Sequence, residues 1–226
     1  MRHHFDFGPD RAVVGDDLVR AEAWDALRTR TGGAFSLASS REELEGMADE
    51  RQEIRERAKA IDTWLDGHGV RTLASYGVGA GVLEAWLLRL SPERRLLLTD
   101  YAPQTVERLV ELFPDAEPTV HNLLTDPPVP ADAHLFHRID TELTDAEWRR
   151  VLERFARETI LVVATEVATS RRLLDELLYR ARNRQLTRAG WLRTRGAFEA
   201  LWRRTHRAEP LRLYDLDGWA LTPRAG

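Results

Sequence analysis

Arg71-Thr-Leu-Ala-Ser-Tyr-Gly77-Val-Gly79-Ala-Gly81-Val-Leu-Glu84, continuing to Leu97-Leu-Thr-Asp100, reads as strand, glycine loop, helix, second strand and acidic end. The short apolar run Leu73 to Tyr76 precedes Gly77, Gly79 and Gly81, and an apolar helix from Val82 to Leu90 follows them. The glycines therefore occupy a strand-to-helix turn, where a ligand approaches the backbone and the helix N-terminus closely and a Cβ is in the way. Asp100 closes the second strand, Arg95 to Thr99, at the place where a carboxylate accepts both hydroxyls of a ribose. The unit reads as a nucleotide-binding half-site. A dinucleotide fingerprint, G-x-G-x-x-G, puts its third glycine at position 82, where this chain has Val82; the pattern here is G-x-G-x-G, which argues against an NAD-dependent dehydrogenase.

On these residues the chain resembles the class I S-adenosylmethionine-dependent methyltransferases, over roughly Ile61 to Pro223. The resemblance implies that Gly77, Gly79 and Gly81 lie under the methionine portion and ribose of S-adenosylmethionine and that Asp100 holds the ribose. Tyr76 and Tyr101 flank these positions and fall beside the cofactor. It also implies that an acid or amide shortly after the third strand meets the adenine amino group, which nominates Asn122, with Leu123 beside the ring. The chain departs from the family at Ser75, where an acid that contacts the cofactor's amino end usually stands two residues before the first glycine.

Composition sets the outer limits. At 226 residues and 43% hydrophobic, the chain suits one α/β domain with added helices. No stretch approaches the roughly 18 apolar residues of a membrane span, and the start Met1-Arg-His-His lacks the order of a signal peptide, so a cytoplasmic protein is expected. With no cysteine, disulfides, thiolate metal sites and thiol nucleophiles are excluded. The His3-His4 pair reads as solvated. The net charge is −4, yet Arg149 to Arg212 holds 16 arginines against 7 acids. That basic third permits an RNA methyltransferase, but no aromatic-interleaved basic motif accompanies it, and arginines on amphipathic helices form the wet face, so nucleic acid is not the expected partner.

Along the chain, residues 1–40 carry turn signals at Gly8-Pro9, Gly15 and Gly32-Gly33, consistent with short helices and loops. Ser40-Arg-Glu-Glu43 is a capping box, and the spacing of Leu44, Met47, Ile54, Ala58, Ile61 and Leu65 predicts one long helix ending near Gly67. Residues 1–66 are accordingly read as an N-terminal helical cap and 67–226 as the cofactor-binding domain. A helix from Pro103, a third strand Pro118 to His121, a fourth strand Ala133 to Ile139, a helix capped by Thr144 and Glu147, and a buried strand Thr159 to Thr165 follow. A helical insertion from Thr169 to about Gly190 and a helix Arg195 to Thr205 lead to two short strands around Asp217-Gly218. The fold class is α/β, a doubly wound Rossmann-like sheet of seven strands whose last pair is an antiparallel hairpin.

In such a sheet the substrate lies outside the carboxyl ends of the strands near the switch point. That geometry nominates His137, Asp140, Glu142 and Glu166 as catalytic groups, with His137 the best base by its ordinary pKa; Arg138, placed by the same geometry, and Arg193 are candidate holders of a substrate carboxylate or phosphate. The strand-four segment resembles that of small-molecule O-methyltransferases, which carry a histidine base just after it; the matching position here is Thr141. Asp126-Pro127-Pro128-Val129 lacks the aromatic that a base-flipping amino-methyltransferase uses for stacking and follows the third strand, not the fourth. The expected activity is methyl transfer from S-adenosylmethionine to an O or N atom of a small organic molecule, by a chain for which no metal set is assigned. Asp140 and Glu166 keep a metal-dependent route open. The main alternative is a methyltransferase-like binding protein without catalysis; oligomeric state, with a homodimer among the options, is not legible.

Overall fold

In a computed structural model the described residues are 2–3, 21–29, 35–182 and 190–224. The turn signals at Gly8-Pro9, Gly15 and Gly32-Gly33, residue His4 and the end of the helical insertion lie outside them. A short strand β1, Arg2–His3, pairs antiparallel with β7, Gly190–Trp191, a contact that the sequence did not announce. The main sheet contains β2 Thr72–Tyr76, β3 Arg95–Asp100, β4 Thr119–Val120, β5 Ala133–His137, β6 Ile160–Val163, β8 His206–Leu213 and β9 Leu216–Pro223. Its order is β4-β3-β2-β5-β6-β9-β8, with the first five strands parallel and β9 antiparallel to both neighbours. The chain runs outward from β2 to β3 and β4, then returns to β5 on the other side, so the switch point lies between β2 and β5. This is the expected doubly wound sheet closed by an antiparallel hairpin.

Helices cover both faces. Helix α2 Arg41–Glu50, α3 Gln52–Gly67, α4 Val82–Leu90 and α5 Pro103–Leu112 share one core with Leu73, Leu98, Leu135 and Leu161. Helix α6 Asp145–Arg154 and α8 Arg195–Trp202 enclose the other, built on Tyr76, Phe136, Trp148, Phe155, Trp202 and Trp219. Alternating strand residues feed the two cores, and each fully buried large apolar side chain contributes roughly 1.5–3 kcal/mol by leaving water. Helix α1, Ala21–Arg28, packs on α5, and α7, Ser170–Arg182, follows β6.

Two local expectations change. The predicted single helix from Ser40 to Gly67 is two, broken at Arg51 with φ −102° and ψ 76°. The Ala48 carbonyl, which a continuous helix would present to the amide of Gln52, instead accepts from Arg51 N at 3.3 Å and from the Trp86 indole at 3.0 Å. Packing against α4 thus takes over a helix acceptor. Ser40 still caps α2, but the Glu43 carboxylate reaches Ser39 N at 2.7 Å in place of the capping residue's own amide. At the C-terminus the hairpin turns at Tyr214-Asp215, not at Asp217-Gly218: Leu213 pairs with Leu216, and Tyr214 takes a φ of 60°. Gly218 sits inside β9 because a Cβ there would lie 2.7 Å from the Val162 carbonyl.

Candidate functional site

The glycine loop leaves β2 at the switch point. Gly77 N and Val78 N both donate to the Thr99 carbonyl, at 2.8 and 3.2 Å, which ties the loop to the end of β3. Gly77, Gly79 and Gly81 all have positive φ, 67°, 61° and 72°. Packing also explains two of them: a Cβ on Gly77 would lie 2.6 Å from Ile139 Cγ2, and one on Gly81 would lie 2.6 Å from the Phe113 ring. At Gly79 the close neighbour is the Arg28 guanidinium, 3.3 Å from where its Cβ would be.

Asp100 ends β3 with its side chain buried. Its Oδ1 accepts from Ala102 N at 3.0 Å, and its Oδ2 accepts from Gly79 N at 3.0 Å and from Arg28 Nη1 at 3.0 Å. Arg28 comes from the end of α1, also donates to Thr105 Oγ1 at 3.0 Å, and lies 4.9 Å from the Trp24 ring centroid. Asp25, three residues earlier, accepts from Thr105 N at 3.1 Å and Thr105 Oγ1 at 3.2 Å, so α1 is docked on the N-terminus of α5 by a capping carboxylate from another element. Neither Arg28 nor Asp25 was singled out from the sequence, because residues 1–40 carry no sustained period.

A cavity of about 120 Å³ opens beside this acid. Tyr76, Gly77, Asp100, Tyr101, Asn122 and Leu123 line it, whereas Gly79 and Gly81 do not. Tyr76 contributes its ring; its hydroxyl accepts from Val129 N at 3.1 Å and meets His134 Nδ1 at 3.2 Å, and burial pushes its pKa up to about 12. The Tyr101 hydroxyl is buried with no partner, and burial raises its pKa. Asn122 is exposed at the rim, where its Oδ1 accepts from Leu124 N at 2.9 Å and its backbone N–H donates to Asp126 Oδ2 at 2.8 Å. His121, also in the wall, sits 2.9 Å from the Pro127 carbonyl through Nε2. A carbonyl only accepts, so Nε2 carries a proton, while Nδ1 is buried without a partner.

The four nominated catalytic groups separate. Glu142 lines the same cavity as Asp100; burial pushes it up to about 7, against the Arg28 charge and with help from Asp100. Asp140 is buried, its Oδ1 accepts from Thr165 N and Oγ1 at 2.7 and 2.8 Å, its Oδ2 has no partner, and its pKa is raised by burial. His137 faces away from the cavity wall toward Arg57, 3.5 Å from Nη1; burial first, then Arg57 and Arg138, hold it well below its ordinary value, so it is neutral. Glu166 pairs with Arg172 at 3.0 Å outside the cavity.

The two nominated arginines also differ. Arg193 is 3% exposed and committed to the fold: it reaches Asp145 Oδ1 at 2.8 Å, the Asp140 carbonyl at 2.6 Å and the Leu143 carbonyl. It is not free to hold a substrate. Arg138 is exposed at the end of β5 with a φ of 60°. Thr141 is buried, and its carbonyl accepts from Trp191 N at 2.8 Å. Ser75 turns inward, its hydroxyl donating to Glu84 Oε1 at 2.7 Å on α4. Among the described residues no group of three His, Asp or Glu side chains is gathered for a metal ion, and no helix is long and apolar enough to cross a membrane.

No family model matches the sequence, and none of the curated proteins does. Solved structures do match. The chain is similar to human N-acetylserotonin methyltransferase in complex with SAM, with a TM-score of 0.61 and 19% identity over 82% of this chain and 57% of that one. It is similar to the mitomycin 7-O-methyltransferase MmcR, with a TM-score of 0.60 and 21% identity over 92% of this chain and 68% of that one. PigF with SAH gives a TM-score of 0.62 at 11% identity over 89% of this chain and 62% of that one. The chain thus spans about 57% of the length of the first of these. At such identities the likeness speaks for architecture, and the glycine loop, the acid at the end of β3 and the terminal hairpin agree with it: the chain carries the fold of the class I S-adenosylmethionine-dependent methyltransferases.

Proposed function

We propose that the protein is an S-adenosylmethionine-dependent methyltransferase acting on a small organic molecule through an oxygen or nitrogen atom. The observation that carries this reading is the placement of the buried Asp100 carboxylate beside Gly77 in one cavity at the switch point of a methyltransferase fold. The residues suit the cofactor: an acid for a ribose, the buried Tyr101 hydroxyl without a partner, and the Asn122–Leu123 rim where an adenine is expected. When bound, S-adenosylmethionine supplies a methyl group already activated on sulfur, so the protein's tasks are to orient the acceptor and exclude water.

Glu142 is the group best suited to take a proton from the acceptor. It faces the cavity, and a carboxyl near pH 7 divides its time between holding and releasing a proton at the working pH. Asp140 is the second choice, through its unpartnered Oδ2, while neutral His137 lies against Arg57. Arg138 is read as a surface cation able to meet an acidic group on the acceptor. We read residues 1–66 as the cap, of which, among the described residues, α1 reaches the cavity through Arg28 while α2 and α3 pack on the sheet, and 67–226 as the cofactor domain of a cytoplasmic protein.

The binding-protein alternative draws on Ser75, whose hydroxyl faces Glu84 and so offers no acid to the cofactor's amino end. Incubation with methyl-labelled S-adenosylmethionine and a panel of small phenols, carboxylic acids and amines separates the two. Label transferred to any of them, and lost in Glu142→Gln, supports catalysis; cofactor binding without transfer to any acceptor favours the alternative.

A further inference from the structure

We infer that Arg28 occupies the ribose seat of the cofactor site and has to leave it before an adenosine-type ligand can bind; the inference rests on the cofactor reading above. The argument is one of lone pairs and space. Each oxygen of an ionised carboxylate accepts about two hydrogen bonds. Asp100 Oδ2 is filled by Gly79 N and Arg28 Nη1, each at 3.0 Å, and Oδ1 already takes Ala102 N at 3.0 Å. One acceptor position remains for a diol that needs two. The backbone donors at Gly79 and Ala102 are fixed by the loop and by β3, so the Arg28 guanidinium is the partner that can be exchanged.

Space points the same way. The guanidinium lies 3.3 Å from where a Gly79 Cβ would be, across the loop on which the ligand is expected, and it forms part of the cavity wall. With Arg28 in place the cavity measures about 120 Å³, below the roughly 300 Å³ at which small-molecule sites begin. Arg28 is held there by Asp100, Thr105 and the Trp24 ring, while Asp25 docks the same helix on α5. An arginine held in one geometry by three partners is a built contact, and it neutralises a carboxylate that is otherwise buried with amide donors alone.

The consequence is an exchange. The ligand-free protein is stabilised by the Arg28–Asp100 pair, and the same pair lowers ligand affinity by the fraction of time that it is closed. Removing the guanidinium therefore has opposite effects on the two quantities, which an ordinary structural arginine would not show. The test is calorimetric titration of the full chain with S-adenosylhomocysteine, for the parent and Arg28→Ala, together with thermal unfolding of both without ligand. The expected result is a lower unfolding temperature for Arg28→Ala and binding tighter by about tenfold or more. Thr105→Val, which removes one hold on the guanidinium and the hydroxyl bond to Asp25 but keeps the Thr105 N–Asp25 bond and leaves Asp100 untouched, is expected to tighten binding by a smaller factor and serves if Arg28→Ala does not fold. Parent binding that either folded variant weakens or leaves unchanged overturns the inference and leaves the cofactor reading standing. Failure of the parent and the variants alike to bind overturns both.

Discussion

Ser75 Oγ and Glu84 Oε1 lie 2.7 Å apart beneath the glycine loop, joining the end of β2 to the first turn of α4. Burial pushes Glu84 up to about 7, with the Asp100 charge adding to the shift. Its folded value exceeds the ordinary 4.5, so on raising the pH the unfolded chain releases this proton first. Stability from the protonated group is complete below about pH 4.5 and is lost as pH rises toward 7, by roughly 3 kcal/mol. Urea unfolding between pH 4.5 and 7 is expected to show this decline together with the one from Glu142, which burial also raises to about 7, and Glu84→Gln, which keeps a partner for Ser75, to make it shallower. An identical slope in the variant contradicts the assignment.

Glu142 shares the cavity with Asp100 and is the group predicted to govern the rate. Glu142→Gln is expected to lower kcat for a hydroxyl acceptor by about 10²–10⁴-fold with little change in S-adenosylhomocysteine affinity. The parent's kcat is expected to rise with pH through a step near 7, and the variant's to lose that step. A matching loss of kcat in His137→Gln, with Glu142→Gln unaffected, would reverse the two roles.

Arg193 and Arg138 are separable by stability alone. Arg193→Ala leaves the Asp140 and Leu143 carbonyls and Asp145 without their cation, so a loss of about 3 kcal/mol or more is expected in denaturant unfolding. Arg138→Ala removes an exposed side chain and is expected to change stability by about 0.5 kcal/mol at most. Equal losses at both sites would show that Arg138 is also part of the frame.

Gly81 is fixed by packing as well as by its φ of 72°. Gly81→Ala drives a Cβ to 2.6 Å from the Phe113 ring and imposes a left-handed conformation, at an expected cost of about 2 kcal/mol or more. Gly46→Ala on α2 meets nothing within 4 Å and is expected to stabilise by up to about 1 kcal/mol. Thermal unfolding of the two variants reads both signs.

The sequence made the sheet legible where short-range signals decide it. Gly77 to Asp100 lie within one strand–helix–strand unit, and the Thr144–Glu147 capping box is likewise local. What escaped depends on partners far along the chain. The break at Arg51 follows from the Trp86 indole taking the Ala48 carbonyl, 38 residues away, and the Arg28–Asp100 pair spans 72 residues. The Asp217-Gly218 dipeptide signals a hairpin turn, yet strand pairing against β6 needs that glycine inside β9 and leaves Tyr214 to take the positive φ. Place after a strand brings Glu142 to the cavity, but the same rule takes in Glu166, and charge alone nominates Arg193; no sequence pattern shows the partners of either.

The central claim is that Asp100 is the ribose acid of an S-adenosylmethionine site. Calorimetric titration of the parent and Asp100→Ala with S-adenosylhomocysteine tests it most directly. The account predicts micromolar binding by the parent and its loss in Asp100→Ala, with the variant's fold verified by circular dichroism. No binding by the parent, or undiminished binding by a folded Asp100→Ala, would contradict it.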